Sequence, residues 1–328
     1  MGLLALVGWS CFWEWEVYSL VPNDQFGCIK SEEDMDLIAE SFRDQITWLR
    51  NHPSIIAWYV GSDMLPRPEL EKRYLAVLAD TDDRPYVASA KALNSSVSGP
   101  TGMKMVGPYD YQAPSYWYSP EAPGGSFGFN TETGIGAQVP QKESLRRMIG
   151  KDLWPINDTW NYHCTASKSS MGKLNRLQEM VKSRYGAPSS LDDFLHKADL
   201  ANYESTRAMF EAFRVNTPAS TGIVQWMLNS ARPGIYWQLY DHYGQPNAAY
   251  YSVKKGNAPL QLIYDYATHD IMAVNGTLRS EHVNANMRLY ATDGKLLDEK
   301  DTTFIVGSQS HGRVFSVPEV KGNAFLFL

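Results

Sequence analysis

The chain has 328 residues, 20% of them charged, and a formal net charge of −6. That length suits one large domain plus a smaller one, and a mildly acidic chain without a Lys/Arg block argues against nucleic acid as the main partner. No apolar run approaches the ~18 residues of a membrane-spanning helix, so no membrane partner is expected.

Three cysteines, Cys11, Cys28 and Cys164, lack CxxC spacing, which argues against a zinc site or a disulfide framework and leaves one bridge plus a free thiol open. No metal site and no cofactor are expected. The 10 Trp and 19 Tyr suit a packed core and equally the stacking platforms of a sugar site.

The N-terminal Met1-Gly2-Leu3-Leu4-Ala5-Leu6-Val7-Gly8 is apolar, with no basic start and no small-residue cleavage site. It reads as a buried strand over 3–7, not a signal peptide, and a start in mid-core suggests that the sequence begins inside a larger protein. An aromatic and acidic loop follows from Trp9 to Glu16. Ser31 to Leu49 reads as a helix, with Glu32, Glu33 and Asp34 in its first turn, where the helix dipole favours them. Next comes Ile55-Ile56-Ala57-Trp58-Tyr59-Val60, apolar on both faces as in a doubly covered parallel strand, ending in Gly61-Ser62-Asp63. A helix over 66–79 and a short strand over 84–88 complete a β–α–β–α–β order, which implies a parallel sheet.

Residues 91–128 are rich in Gly, Pro, Ser and Tyr and read as a long ordered loop region. A short strand from Phe127 ends in Glu132. Ser144 to Phe213 reads as mostly helical, broken near Pro155, Gly172 and Gly186-Ala187-Pro188. Gly222 to Leu228 is another buried strand, followed by Asn229. Beyond Ala258-Pro259 come six short strands, at 260–263, 271–274, 286–290, 303–306, 314–317 and 325–328, with a turn at Asp293-Gly294. They imply an all-β sandwich, possible to read as truncated because it stops on an apolar strand.

Two carboxylates, Asp63 and Glu132, thus end two different buried strands. In a barrel such ends converge on one mouth, where the chemistry of that architecture collects, and paired carboxylates across a cleft are the equipment of a glycosidase. Asp63 taken alone reads equally well as the N-cap of the helix that follows.

Asn51-His52-Pro53-Ser54-Ile55-Ile56-Ala57-Trp58 with Gly61-Ser62-Asp63, Phe129-Asn130-Thr131-Glu132-Thr133-Gly134 and Gly222-Ile223-Val224-Gln225-Trp226 resemble the acid/base, nucleophile and last barrel strands of glycoside hydrolase family 2. Most of that family has Gly-Asn-Glu where this chain has Gly61-Ser62-Asp63. That variant, with Gly102-Met103-Lys104-Met105 and Gly107-Pro108-Tyr109-Asp110-Tyr111, is similar to the exo-β-D-glucosaminidase subgroup, which trims glucosamine from chitosan ends. The resemblance implies an α/β fold: a (β/α)8 TIM barrel over 1–258, short of its first strands, then an immunoglobulin-like sandwich over 259–328.

It also implies a retaining β-glycosidase with Asp63 as general acid/base and Glu132 as nucleophile. Ser62, smaller than the family's Asn, leaves room for a 2-amino group. The subgroup keeps an acid in the loop near Trp9, where this chain has Ser10, although Glu14 and Glu16 are close by. Ser10 therefore keeps a neutral β-mannoside or β-galactoside open as the substrate, and a non-catalytic carbohydrate-binding remnant is a further alternative. Trp9, Ser10, Glu14, Ser62, Tyr109, Asp110, Tyr111, Trp117, Asn130, Trp226 and Asn229 are the candidate sugar contacts. The compartment stays open, with secreted or periplasmic favoured over cytoplasmic if a preceding segment carries a signal.

Overall fold

The computed structural model describes residues 5–8 (backbone), 24–164 and 174–328. Its contacts divide the chain into two compact units, Met1–Val106 with Gly128–Glu132, and Gly107–Phe127 with Thr133–Leu328. Both helices and strands are present throughout the first unit and the start of the second, and the last part is all strand.

In the first unit β1 (Ala5–Gly8), β2 (Ile55–Tyr59) and β3 (Tyr86–Val87) form a parallel sheet in that order, as the β–α–β–α–β pattern predicts. The crossovers are α1 (Glu32–Leu49) and α2 (Pro68–Thr81). Ser31 caps α1 by accepting the Asp34 N–H at 3.0 Å, one of the orphan donors of a helix start. Trp58 of β2, with Ile55 at the strand's start, joins a core with Phe42 and Ile46 of α1 and Leu70 and Tyr74 of α2. Ala57 and Tyr59, on the face opposite Trp58, pack against Val87. The doubly covered strand is therefore real, except that Ile56 is 40% exposed. At the opposite end from Asp63, Trp58 Nε1 donates to Asp82 (3.1 Å) and Arg84 donates to the Arg50 carbonyl (2.8 Å), tying the strand to the segments that flank it.

The region 91–128 is ordered, with a small β4–β5 hairpin (Asn94–Ser95, Gly99–Pro100) and a 3₁₀ turn at Pro114–Tyr118. Strand β6 (Gly128–Thr133) runs from the first unit into the second. The second unit then forms α3 (Lys142–Ile149), α4 (Asp158–Tyr162), α5 (Leu174–Tyr185) and the long α6 (Leu191–Val215). These helices gather a core of Leu145, Trp160, Leu177, Phe194 and Met209. Strand β7 (Ser220–Gln225) and α7 (Ala248–Gly256) follow.

The six C-terminal strands are β8 (Leu260–Tyr264), β9 (Asp270–Asn275), β10 (Glu281–Ala291), β11 (Leu296–Val306), β12 (Ser310–Ser316) and β13 (Ala324–Phe327). They make two antiparallel sheets, β11-β10-β13 and β12-β9-β8, which share a core of Ile271, Ala285, Met287 and Phe315. Strands β10 and β11 run to 11 residues each, well beyond the apolar stretches that announced them. Their added length is polar and pairs across the ladder: Arg288 with Glu299, Asn286 with Asp301, Thr303 with Asn284. Asp293-Gly294 forms the expected turn, with Gly294 at φ +87°, a backbone region that favours glycine. Arg214 of α6 donates to the carbonyls of Gly256 (2.9 Å) and Pro259 (3.3 Å) and to Gln261 (2.9 Å), joining the helices to β8 within this unit.

Asn275 is the polar rivet of the sheets. It is 1% exposed, its amide donates to the Arg279 and Gly307 carbonyls (both 2.8 Å), and its oxygen accepts the Thr277 N–H (2.8 Å). Replacing it removes all three bonds at a buried position, so Asn275→Ala is expected to cost about 2–4 kcal/mol, measured as a lower urea midpoint.

Candidate active site

Strand β2 is bound to β3 to its end, where Val60 N–H donates to the Val87 carbonyl at 3.1 Å. The next residue is Gly61 for a steric reason. A Cβ there would sit 2.4 Å from both the Ala88 and the Met64 carbonyl oxygens. The turn that carries Asp63 is then fixed twice: Ala90 N–H donates to the Gly61 carbonyl (3.0 Å), and the buried Ser89 hydroxyl donates to the Ser62 carbonyl (2.6 Å). Asp63 leaves this turn half-buried. It is not the cap of α2, because the N-cap position belongs to Arg67 and no side chain bonds the helix start there. Of the two roles open to Asp63 in the sequence, the helix cap is removed.

Glu132 reaches the same segment by a different route. Lys104 brackets Asn130, its N–H donating to the Phe129 carbonyl (2.9 Å) and its carbonyl accepting from Thr131 N–H (3.0 Å). The Thr131 hydroxyl donates to the Ala90 carbonyl at 2.7 Å. Ala90 is thus bonded through its N–H to the turn of Asp63 and through its carbonyl to the residue before Glu132. The side chain of Asn130 accepts the Glu132 N–H at 3.4 Å, and Glu132 is half-buried. The Lys104 side chain is buried beside this strand, and desolvation pulls its amine down to about 8. Tyr59, also buried, is pushed up to about 12 by desolvation and donates to the Met103 sulfur (3.1 Å).

The second unit holds an aromatic cluster. Tyr109 meets Trp226 edge-on at 5.6 Å and Trp237 at 5.7 Å, and the two indoles lie 5.1 Å apart. Trp226 N–H donates to the Thr133 carbonyl (2.8 Å), and Gln225 donates to the Trp237 carbonyl (2.6 Å). The Trp226–Met227 peptide is cis. A Cβ on Gly134 would lie 2.4 Å from the Trp226 carbonyl and 2.6 Å from the Trp237 side chain, so only glycine allows this approach. Trp237 was not among the candidates from sequence. It sits in an irregular segment after Pro233-Gly234, with no strand to mark it.

The remaining candidates divide. Ser62, Asp110 and Trp226 are half-buried, and Asn229 is exposed. Tyr111, Trp117 and Asn130 are buried. Tyr111 and Trp117 belong to the helical core, and the Tyr111 hydroxyl accepts from Arg184 of α5 at 2.5 Å. Asn130 is 0% exposed and serves the backbone of Glu132. Trp9, Ser10 and Glu14 lie outside the described residues. Among the described residues no group of three or more His, Cys, Asp or Glu is placed to hold a metal ion, and no helix is long and apolar enough to cross a membrane.

No protein-family model matches the chain. Its relatives are nevertheless clear. An exo-β-D-glucosaminidase of Streptomyces avermitilis is 37% identical over 97% of this chain and 36% of its own length. The exo-chitosanase CsxA of Amycolatopsis orientalis, solved with PNP-β-D-glucosamine, aligns with a TM-score of 0.88 and 33% identity over 98% of this chain and 40% of that one. That complex has been solved in one form with an aspartate and in another with a glutamate replaced by alanine. A β-D-mannosidase from Dictyoglomus thermophilum, 18% identical over 89% of this chain and 38% of that one, shares the fold at a TM-score of 0.70. The chain spans little more than a third of the length of the curated relatives it matches. The resemblance read from its motifs is borne out.

Gly134→Ala is expected to push Trp226 and Trp237 apart, changing near-UV circular dichroism and tryptophan emission. Gly312→Ala, where a Cβ meets nothing within 4 Å, is the control and should leave both unchanged.

Proposed function

From a chain homologous to the exo-β-D-glucosaminidases of glycoside hydrolase family 2, we propose that it carries the catalytic carboxylates of a retaining β-glycosidase that removes glucosamine from the ends of chitosan chains. The observation that carries this reading is the pair of bonds at Ala90, which gathers the turn of Asp63 and the strand of Glu132 onto one segment. The exclusion of Asp63 from the helix cap supports it, as do the aspartate and glutamate chosen for replacement in the related exo-chitosanase. We read the fold as a (β/α)8 barrel over 1–258 followed by an immunoglobulin-like sandwich over 259–328.

In this mechanism Glu132, ionised, attacks the anomeric carbon while Asp63, protonated, gives its proton to the departing glycosidic oxygen. The sugar is then held on Glu132 as an ester. Asp63, now a carboxylate, takes a proton from water as that water attacks the same carbon, and Glu132 is released. The product keeps the β configuration because the carbon is inverted twice. A separation of about 5–5.5 Å between the two carboxyls is the geometry this requires. Ser62 next to the acid leaves space for a 2-ammonium group. Ser10 favours a second reading, the same chemistry on a neutral mannoside or galactoside.

The test is a panel of aryl β-glycosides, given to the chain alone and to the chain joined to the N-terminal portion of the Amycolatopsis orientalis relative. The glucosaminide should be the best substrate. Preference for a mannoside or galactoside would move the specificity to the second reading, and inactivity of both forms on every glycoside would overturn the catalytic one. Glu132→Gln should remove turnover entirely. Asp63→Ala should lower it about 10²–10⁴-fold for poor leaving groups and far less for dinitrophenolate. Equal losses for all leaving groups would contradict the acid role.

A further inference from the structure

We propose that the cavity between α6 and the C-terminal sheets, formed wholly within the second unit, is an additional binding site for an amine-bearing oligosaccharide. The choice of a saccharide rests on the glycosidase reading above, and the preference for a cation rests on the cavity itself. Its volume is about 930 Å³, near the upper end of the range for small-molecule sites and sufficient for more than one pyranose ring. It is not an apolar void. Its lining combines Glu204, Arg207 and Glu211 of α6 and Tyr264, Tyr266 and His269 with apolar side chains of Leu289 and of the 317–328 segment.

Two carboxylates in this lining are each paired with an arginine, Glu211 with Arg207 and Glu204 with Arg184. Glu211 is 4% exposed. Both of its protein hydrogen bonds, from Arg207 Nε (2.7 Å) and from Gln261, land on Oε1. Glu204 likewise takes Arg184 (2.6 Å) and the Tyr185 hydroxyl (2.8 Å) on Oε2 alone. Among the described residues the second oxygen of each carboxylate accepts no hydrogen bond. Burial pushes the Glu211 carboxyl up, and Arg207 only partly offsets it, so an ammonium group beside it would restore the ionised form.

The aromatic side supplies the platform. Tyr264 and Tyr266 lie edge to face at 4.9 Å, and Tyr266 is backed by Tyr118 at 5.5 Å. The Tyr264 hydroxyl is held by a 2.5 Å bond to His269 Nδ1. Rings fixed in this way are preorganised to meet the apolar face of a sugar without losing further side-chain freedom. Carboxylates and tyrosines lining one cavity match the ammonium and the C–H face of a glucosamine unit.

Titration calorimetry with the glucosamine trimer tests this on the full chain carrying Glu132→Gln, which blocks turnover. Binding that falls at least tenfold with Glu211→Gln or Tyr264→Ala is the expected result, together with unchanged hydrolysis of an aryl glucosaminide when either substitution is made with Glu132 intact. The neutral N-acetylglucosamine trimer should bind at least tenfold more weakly. Circular dichroism checks folding, and if Glu211→Gln does not fold, Tyr264→Ala decides. Trimer binding insensitive to these substitutions, no trimer binding at all, or equal affinity for the acetylated trimer would each overturn the proposal. The two readings fail separately. Cavity-dependent binding without hydrolysis leaves the site standing and removes the catalytic reading, and hydrolysis without cavity-dependent binding does the reverse.

Discussion

Ala90 holds the candidate catalytic pair in place with its backbone alone. Its N–H fixes the turn that ends in Asp63, and its carbonyl holds the hydroxyl of Thr131, next to Glu132. Its N–H and its carbonyl lie in successive peptide planes joined at one Cα, so the two bonds bring both segments to the same residue. Ser89 and Gly61 reinforce the arrangement, one by bonding the Ser62 carbonyl and the other by letting two carbonyls approach where a Cβ would collide. Nucleophilic and acid catalysis of glycoside cleavage depends on carboxyl spacing more than on any other distance. The precision comes from backbone bonds at strand ends, which is where parallel α/β folds place their chemistry.

Much of this was legible in the sequence, for identifiable reasons. The run 55–60 is apolar on alternate and intervening positions because both faces of β2 are covered. Ser31 followed by three acids announced α1 because helix starts need acceptors and favour negative charge. Asp63 and Glu132 were visible because each follows a strand-length apolar or aromatic segment. Ala90 was not visible, because a residue that acts through its peptide groups leaves no chemical signature in its side chain. The length of β10 and β11 was hidden by charges on the outward positions, which blur the two-residue period that marks a strand.

The aromatic residues separate into two populations that composition could not distinguish. Tyr111 and Trp117, in a loop rich in Gly and Pro, look like pocket walls but are drawn into the helical core, Tyr111 by its bond to Arg184. Tyr109, Trp226 and Trp237 instead stack with one another. The approach of Trp226 and Trp237 requires glycine at 134.

The claim that Glu132 bears the sugar during turnover is tested most directly by trapping that intermediate. A 2-deoxy-2-fluoro glycosyl fluoride slows hydrolysis of the glycosyl ester, and peptide mass spectrometry then locates the label. The account predicts one sugar per active chain, attached to the peptide containing Glu132. A label on another residue, or release of the inverted anomer from a competent enzyme with no label formed, would contradict it.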